Sequence, residues 1–339
     1  MGIDLHVKSW HITVVREGVE HFTGNIPGTW PALRTLLDRY AGNEINVAYE
    51  AGYFGFWLHD ELVAYGVTEC VVTPPNQMLR ESGNRVKTDG LDSRKLAHLL
   101  SKGMLKRVWV PDREALGHRT VVRRRRQLLR DRVRVQNRIR GDLRFYGVVI
   151  EEGPQTWCKQ FVENLRKLPL WDQWIGESFQ RLLREYEYLN DEVKKQTKLL
   201  EGLAKLDRYR ERVAILQSIP GIGLLAAMEI LLELQDMNRF PHGKQLAAYV
   251  GLTPAQYSSG PHVRMGRISG GGKNSVRCVL VEAAWRLIGK DQQMRERYEQ
   301  IKQRAGGKRA IVAIARMLLL RTRRMLLDNQ PYHAGECIA

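Results

Sequence analysis

The sequence has no apolar run approaching the ~20 residues that a membrane-spanning helix needs. Its first residues, MGIDLHVKSW, lack the charged-then-apolar layout of a secretory signal peptide. Its four cysteines, Cys70, Cys158, Cys278 and Cys337, are scattered without paired spacing, which argues against a zinc site or a disulfide framework. We therefore expect a cytoplasmic protein with reduced thiols and no membrane partner.

Acidic residues are also few relative to basic ones. The chain has 54 Lys and Arg residues against 37 Asp and Glu, which gives a formal net charge of +17. Such an excess indicates a polyanionic partner, with nucleic acid the first candidate and an anionic membrane surface the second. The 339 residues, 43% of them hydrophobic, suffice for two or three domains with cores of their own.

Residues 1–112 begin with three strand-like segments, with a tight turn at Glu17-Gly18 between the second and third. Helical and strand-like patterns then alternate. The predicted strands are 3–7, 11–16, 19–25, 45–50, 69–73 and 106–110, and the predicted helices are 30–40 (capped by Thr29), 54–65 and 89–100. This order is expected of an RNase H-like α/β domain, although composition alone allows other α/β folds.

Four acidic residues in this first domain stand out. Asp4 lies in the first strand, Glu50 closes the strand 45–50, and Asp89 and Asp92 share one face of a first helical turn. The helix dipole alone would favour the last two, so a purely structural role is the ordinary alternative. Four carboxylates brought together would repel one another unless a divalent cation compensated them, so they are candidates for a metal site.

Residues 113–206 are predicted to form a helical arm. Its first helix, 113–146, holds twelve arginines and no lysine, with apolar residues near one face. Arginines on a helix are often only solvated, but this number favours phosphate binding, and arginine suits bidentate phosphate contact. The candidate nucleic-acid-binding residues are Arg123, Arg124, Arg125, Arg126, Arg130 and Arg134.

The second helix of the arm, 177–203, carries apolar residues at alternating spacings of four and three, with one polar position at Gln196. This pattern is typical of a coiled-coil seam, which needs a partner helix. The partner could be the arginine helix of the same chain, the same helix of a second chain, or both. We expect an antiparallel arm that also dimerises.

Residues 207–328 are predicted to be mainly helical, with a flexible tail at 329–339. Pro220-Gly221-Ile222-Gly223 precedes an apolar helix, and Gly221 and Gly223 permit a tight turn whose backbone N–H groups suit a DNA phosphate. The turn is similar to the hairpin of helix-hairpin-helix DNA-binding motifs; an ordinary corner between two helices is the alternative.

A glycine- and hydroxyl-rich stretch, 251–274, is too long to be a mere connector. It contains Ser258 and Ser259. Serines in loops are usually solvated turn formers, so spacing alone gives little support to a nucleophile here. Asn274 is expected to cap the helix that follows.

Taken together and in order, these motifs resemble one family. Asp4, Glu50 and Asp89-x-x-Asp92 resemble the DEDD set of a RuvC-like nuclease domain. Further along the chain, four segments resemble the C-terminal domain of insertion-sequence transposases of the family numbered one-ten, which includes the Piv/MooV DNA invertases. These segments are Pro220-Gly221-Ile222-Gly223, Gly251-Leu252-Thr253-Pro254, Tyr257-Ser258-Ser259-Gly260 and Gly266-Arg267-Ile268-Ser269.

The resemblance implies a DNA transposase in which the four acids bind Mg²⁺ (or Mn²⁺) and a serine attacks DNA. Ser259 is favoured over Ser258 as the nucleophile because family members often keep only the Ser-Gly pair. Arg264, Arg267 and Lys273 are expected to contact nucleic acid, with the basic residue after the serine shifted here to Lys273.

The resemblance also implies a structured guide RNA that pairs with the element ends and the target DNA, and a site at the bacterial or archaeal nucleoid. The arginine helix is a candidate site for RNA or DNA. Because the serines are far from the acids in sequence, a homodimer or tetramer with a composite site is expected. Two alternatives are a RuvC-like endonuclease that uses water and a non-catalytic nucleic-acid-binding protein.

Overall fold

The computed structural model describes residues 1–75, 89–150, 156–169, 172–256, 265–268 and 271–334, without the side chains of Asp89 and Met265. The chain divides into two compact units, Met1–Pro111 and Asp112–Ala339. The arm and the C-terminal domain, expected to be separate, thus belong to one unit. No helix within the described ranges is both long and apolar enough to span a bilayer.

The first unit is built on a five-stranded sheet in the order β3-β2-β1-β4-β5. Strands β1, β2 and β3 are antiparallel, whereas β1, β4 and β5 are parallel. Glu17 and Gly18 have φ of 52° and 82°, as a tight hairpin turn requires, which confirms that prediction. The strands are β1 (Gly2–Leu5), β2 (Ser9–Arg16), β3 (Val19–Pro27), β4 (Asn46–Glu50) and β5 (Glu69–Thr73).

One face of this sheet forms the hydrophobic core of the unit. Ile3, Ile12 and Tyr49 are fully buried there and share a cluster with residues of α1 (Trp30–Asp38) and α2 (Trp57–Tyr65). α3 (Asp89–Ser101) packs on β1, β2 and β4. Since side chains alternate along a strand, the sheet presents apolar residues to α1 and α2 and smaller or polar residues to α3.

The predicted strand at 106–110 is wrong. Val108 N–H donates to Val72 O at 2.7 Å, and Val108 and Val110 pack against the core, but no strand ladder forms there. An apolar, β-branched segment can cover a sheet edge by side-chain packing without a full set of backbone hydrogen bonds, and sequence periodicity does not distinguish the two cases.

The described part of the second unit is helical apart from one small hairpin. Asp112 caps its first helix by accepting a hydrogen bond from Ala115 N–H. The elements are α4 (Arg113–Phe145), α5 (Lys159–Arg166), α6 (Gln173–Leu203), α7 (Asp207–Gln217), α8 (Leu224–Leu234), α9 (Gly243–Val250), β6 (Pro254–Gln256), β7 (Met265–Ile268), α10 (Asn274–Leu287), α11 (Gln292–Ala305) and α12 (Gly307–Asp328).

The two long helices α4 and α6 lie antiparallel within the chain. Arg125 donates to Thr197 Oγ1 and Arg132 donates to Asn190 Oδ1, both at 2.8 Å. The later residue of α4 contacts the earlier residue of α6, as expected of antiparallel helices. The apolar face of α6 therefore has a partner in the same chain. Its buried residues are Phe179, Leu183, Tyr186, Leu189, Val193 and Leu200; of the predicted seam, Leu182, Gln196 and Leu203 are half-buried.

Two predictions about loops need correction. The stretch 251–274 contains the hairpin β6–β7, and Asn274 begins α10 without capping it, because its Oδ1 accepts from Arg277 at 2.7 Å. The tail is held at Tyr332, whose N–H donates to Ser218 Oγ and whose hydroxyl accepts from Arg321, both at 2.7 Å; residues 335–339 lie outside the described residues.

Candidate active site and nucleic-acid surface

Asp4 and Glu50 lie side by side on the face of the sheet opposite the hydrophobic core. In the parallel pair β1–β4, Ile3 is level with Tyr49, so Asp4 and Glu50 occupy the next level along both strands. Ile3 and Tyr49 are buried among core residues on one face. Because successive side chains alternate between faces, both carboxylates project from the other face, near the carboxyl ends of β1 and β4.

Helix α3 is held tightly against this second face. A Cβ added at Gly2 would lie 2.2 Å from Ser93 O and 2.4 Å from Ala97 N, so the helix backbone touches β1 directly. The Ser93 hydroxyl forms hydrogen bonds with His11 Nδ1 at 2.7 Å and with Thr13 Oγ1 at 2.9 Å. These contacts fix both the height and the rotation of α3 over the sheet.

The beginning of α3 lies at the level of Asp4. His11 is the register partner of Asp4 on β2, and a Cβ on Gly90 would lie 3.3 Å from His11 Nε2. Asp92 shares its helix face with Leu96, which is fully buried against Gly2. The structure thus brings Asp4, Glu50 and the first turn of α3, with Asp92, to the same face of the sheet.

The acidic residues have histidine neighbours that the sequence did not single out. His6 Nε2 lies 3.2 Å from Asp4 Oδ2, and the Asp4 side chain is 20% exposed. Within the described ranges, no group of three or more His, Cys, Asp or Glu side chains is arranged to hold a metal ion. The Asp89 side chain, a member of the predicted set, lies outside that description.

The predicted nucleophiles Ser258 and Ser259, together with Arg264, lie outside the described residues. The stretch that contains them is flanked by β6 and β7, where Gln256 is level with Met265. Arg267, on β7, is exposed. Its predicted contact with nucleic acid stays a prediction.

The two ends of the stretch 251–272 are held together by α10. Arg277 donates to Val250 O at 3.1 Å and to Gly271 O at 3.0 Å. Gly272 has φ of +83°, and a Cβ there would lie 2.6 Å from Tyr249 O. We call this contact between residues 249–251 and 271–273 the neck of the serine stretch. Arg277 was missed at the sequence level; the available signal was an arginine one turn after a glycine run.

The predicted phosphate-binding arginines fall into two groups. Arg123 donates through Nε and Nη2 to both carboxylate oxygens of Glu233, each at 2.9 Å. Arg126 forms ion pairs with Glu229 and, at 3.5 Å, with Glu233. Lys273 Nζ lies 3.4 Å from Glu233 Oε2. Arg123, Arg126 and Lys273 therefore neutralise acids of the buried helix α8, a role that sequence reasoning did not foresee.

Burial raises the pKa of Glu233, which is 1% exposed. The hydrogen bonds from Arg123 and the charges of Arg123, Lys273 and Arg126 outweigh burial, so the net pKa of Glu233 lies below its ordinary value. The carboxylate therefore stays ionised at neutral pH and joins α4, α8 and the neck of the serine stretch electrostatically.

The other arginines of α4 are available at its surface. Arg124, Arg130 and Arg134 are exposed, with Arg134 also paired to Asp131 on its own helix at 2.7 Å. Arg125 is half-buried against Thr197. A phosphate backbone along α4 would therefore meet the first three residues.

The glycine turn before α8 lies at the surface beside a cavity of about 1270 Å³. Gly221, with φ of +96°, and Gly223 are both exposed, and a Cβ on Gly221 would lie 2.7 Å from Arg286 Cβ. No described side chain caps α8. The cavity is lined by basic residues, among them Lys205, Arg210 and Arg286, and also by Glu201, Glu229 and Glu282, so its charges are mixed.

Two family models match the chain. A model of a transposase domain of the IS110 DEDD type matches residues 1–148, and a model described as transposase, IS116/IS110/IS902 family, matches residues 213–299. Together they cover more than half of the chain, and the first includes the whole sheet with its acidic face. Fold, site and both matches define a transposase, an enzyme that cuts and rejoins DNA.

Similar curated proteins are transposases as well. A predicted transposase of Sinorhizobium fredii, y4qE, is 26% identical over 84% of this chain and 70% of its own length. The transposases for the insertion sequence elements IS1533 of Leptospira borgpetersenii and IS1111A of Coxiella burnetii are each 28% identical, over 60% of this chain and 58% and 55% of their own lengths. The chain belongs to the IS110/IS116/IS902 family of insertion-sequence transposases.

Proposed function

We propose that this transposase cuts and rejoins DNA through a transient phosphoserine bond, with Mg²⁺ (or Mn²⁺) held by Asp4, Glu50, Asp89 and Asp92. The observation that carries the proposal is the placement of Asp4 beside Glu50, under the first turn of α3. The strand order β3-β2-β1-β4-β5, with its antiparallel and parallel halves, supports an RNase H-like (RuvC-like) fold for the first unit.

The donor chemistry of the acidic face fits a hard divalent cation. Asp4, Glu50 and Asp92 offer carboxylate oxygens, the ligands that Mg²⁺ prefers, and all three residues are half-buried. Carboxylates on one face repel one another in the free protein, and this repulsion is relieved by a bound cation. Bound Mg²⁺ would supply stabilisation of the negative charge that develops on the phosphoryl oxygens.

The serine has two roles in the proposed reaction. Ser259, with Ser258 as the alternative, forms a bond from Oγ to the scissile phosphorus, and a deoxyribose oxygen leaves with the proton that the serine loses. A deoxyribose hydroxyl of the joining strand then displaces the serine and returns a proton to it. One phosphodiester is exchanged for another, so the reaction needs no external energy source.

A structured guide RNA and the DNA both require cationic surfaces. The exposed Arg124, Arg130 and Arg134 support phosphate binding along α4, and the glycine turn before α8 supports a DNA phosphate contact. We propose a homodimer or tetramer in which the serine stretch of one protomer serves the acids of another. The antiparallel helices α4 and α6 would form the coiled-coil arm of that assembly, and the nucleoid is the proposed location.

The test is recombination of a plasmid that carries the element ends, with and without RNA transcribed from the flanking DNA. Asp4→Ala and Asp92→Ala should abolish product. Ser259→Ala should abolish both product and the covalent protein–DNA species that survives denaturation, whereas Ser258→Ala is the matched control. If both serine variants still cut DNA, the enzyme uses water, as a plain endonuclease would. If the wild type binds the nucleic acid but yields neither product nor a covalent species, and Asp89→Asn binds equally well, the protein is a non-catalytic nucleic-acid-binding protein.

A further inference from the structure

Arg119, on the first third of α4, forms no salt bridge with another described residue and donates no hydrogen bond to one. The residue as a whole is 8% exposed, but its guanidinium nitrogens are not among the fully buried side-chain atoms without a partner, so they reach solvent. Burial, and then the charge of Arg123, lowers the pKa of Arg119. A guanidinium that has lost most of its water and has no acceptor among the described residues is costly, and it is open to a ligand that brings acceptors.

The described carboxylates of this network are already engaged. Glu233 accepts two hydrogen bonds from Arg123 and pairs with Arg126 and Lys273, while Glu229 pairs with Arg126. Arg119 is close enough to Glu233, Arg123 and Arg239 for their charges to shift its pKa. Arg119, Arg123, Arg126 and Lys273 therefore stand against two described carboxylates, which leaves an excess of positive charge in this part of the second unit.

This place adjoins the neck of the serine stretch. The guanidinium carbon of Arg239 lies 4.6 Å from the centre of the Tyr249 ring, and Lys273 Nζ lies 5.7 Å from it. The Lys273 backbone N–H donates to Tyr249 O at 3.0 Å, which is part of the neck itself. An anion bound by these cations would therefore lie next to the base of the segment that contains Ser258 and Ser259.

We propose that Arg119, Arg239 and Lys273 form a binding site for a backbone phosphate of nucleic acid at the neck of the serine stretch. Nucleic acid as the ligand rests on the proposed function; the anion site itself rests on the Arg119 guanidinium, which has no acceptor among the described residues, and on the surrounding excess of cations. A bound phosphate supplies the acceptors that Arg119 lacks, and it fixes the strand where the serine stretch leaves the helical core.

The test compares the full chain with Arg119→Met, which keeps a long side chain and removes the charge. Binding of a fluorescent single-stranded oligothymidylate is measured by anisotropy at several salt concentrations, with oligouridylate as a second probe. We expect affinity to fall roughly 10- to 100-fold, as loss of a charge-assisted hydrogen bond implies. The slope of log affinity against log salt should shrink by about one phosphate contact.

The thermal stability of Arg119→Met should not fall with its affinity for the oligonucleotide. Removing a charge that has no acceptor among the described residues should leave the melting temperature of Arg119→Met equal to or above that of the wild type. Inorganic phosphate should raise the melting temperature of the wild type more than that of the variant. The matched control is Arg295→Met, because Arg295 donates to Ile288 O and Gly289 O at 2.9 and 3.1 Å at the end of α10. It should keep the affinity and the salt slope.

Unchanged affinity and salt slope in Arg119→Met would overturn the proposal, whatever happens to its stability. If Arg119→Met does not fold, Arg119→Lys tests the proposal in its place. Because this variant keeps the charge, it should retain the salt slope but bind the oligonucleotide more weakly. Full wild-type affinity would count against a guanidinium site. A larger loss of affinity for oligothymidylate than for oligouridylate assigns the site to DNA, and the reverse assigns it to RNA. Absence of a covalent serine–DNA species in the wild type would sink the proposed function but not the anion site.

Discussion

The Glu233 carboxylate offers the sharpest stability prediction in the second unit. It is 1% exposed and holds Arg123 through two hydrogen bonds of 2.9 Å, with Arg126 at 3.5 Å and Lys273 at 3.4 Å. Glu233→Gln keeps the size and one acceptor oxygen but removes the charge. Three cations would then face one another with only Glu229 to compensate them.

The magnitude follows from the burial of this pair. Removing one partner of a buried ion pair costs about 3–5 kcal/mol, because the other partner is left charged and desolvated. For a unit of this size, each kcal/mol lowers the melting temperature by roughly 2–4 °C, so a fall of about 10 °C is expected. Differential scanning calorimetry measures it, and the heat absorbed by the second unit identifies the transition.

The matched control is Glu299→Gln. Glu299 pairs with Lys302 at 3.1 Å on the surface of α11, and both side chains are about half-exposed. An exposed pair of this spacing contributes about 0.3–0.5 kcal/mol, so the control should hardly change the melting temperature. If Glu233→Gln lost no more stability than Glu299→Gln, the reasoning about a buried ionic network would be refuted.

The same carboxylate gives a pH dependence with a definite sign. The folded pKa of Glu233 lies below its unfolded value of 4.5. Its contribution to stability is therefore present above pH 4.5 and is lost as pH falls through the lowered folded pKa. The stability difference between wild type and Glu233→Gln should be constant near neutral pH and shrink in that acidic range. A difference that grew on acidification would contradict the assignment.

Three further changes have expected outcomes. Gly2→Ala should lower the free energy of unfolding of the first unit by about 3 kcal/mol in urea, since its Cβ would lie 2.2 Å from a carbonyl oxygen of α3. Arg277→Lys should slow strand joining, because Nη2 donates to Asn274 Oδ1 while Nη1 donates to both ends of the neck, and a lysine has a single nitrogen for these partners. Arg295→Lys, the same change at a remote arginine that binds carbonyl oxygens, should not slow it. Tyr332→Phe should cost about 1–2 kcal/mol by thermal unfolding, since it removes the hydroxyl that joins Asp291 and Arg321.

The first unit was largely predictable because its elements carry strong local signals. The strand at 69–73 was placed within its observed bounds, and the buried Leu33, Leu36 and Leu37 follow the helical period. The level of Asp4 against Glu50 was not predictable, because the register of β1 against β4 pairs residues that are distant in the chain, such as Gly2 with Ala48. The grouping of these acids came from their resemblance to the DEDD set, because the periodicity of the sequence does not show which strands are neighbours.

The arginine helix shows the limit of composition. Its charge indicated phosphate binding for six residues alike, yet Arg123 and Arg126 meet acids of α8 that are more than 100 residues away in sequence. One signal could have revealed this. Glu229 and Glu233 lie four residues apart in an otherwise apolar helix, and acids within a buried helix require cations nearby. Which arginines supply them depends on packing that the sequence does not display.

The cations at the neck of the serine stretch therefore fall into two groups: those that stabilise the fold by pairing with Glu233, and Arg119, whose charge does not stabilise it. Glu233→Gln removes compensation, so stability should fall while the site for an anion becomes more positive and binding does not weaken. Arg119→Met removes an uncompensated charge, so binding should weaken while stability does not fall. One variant should lose stability and keep its affinity for nucleic acid, and the other should lose affinity and keep its stability. A general loss of structure would lower both quantities in both variants. A cluster that served only to join α4 to α8 would lose stability in both variants.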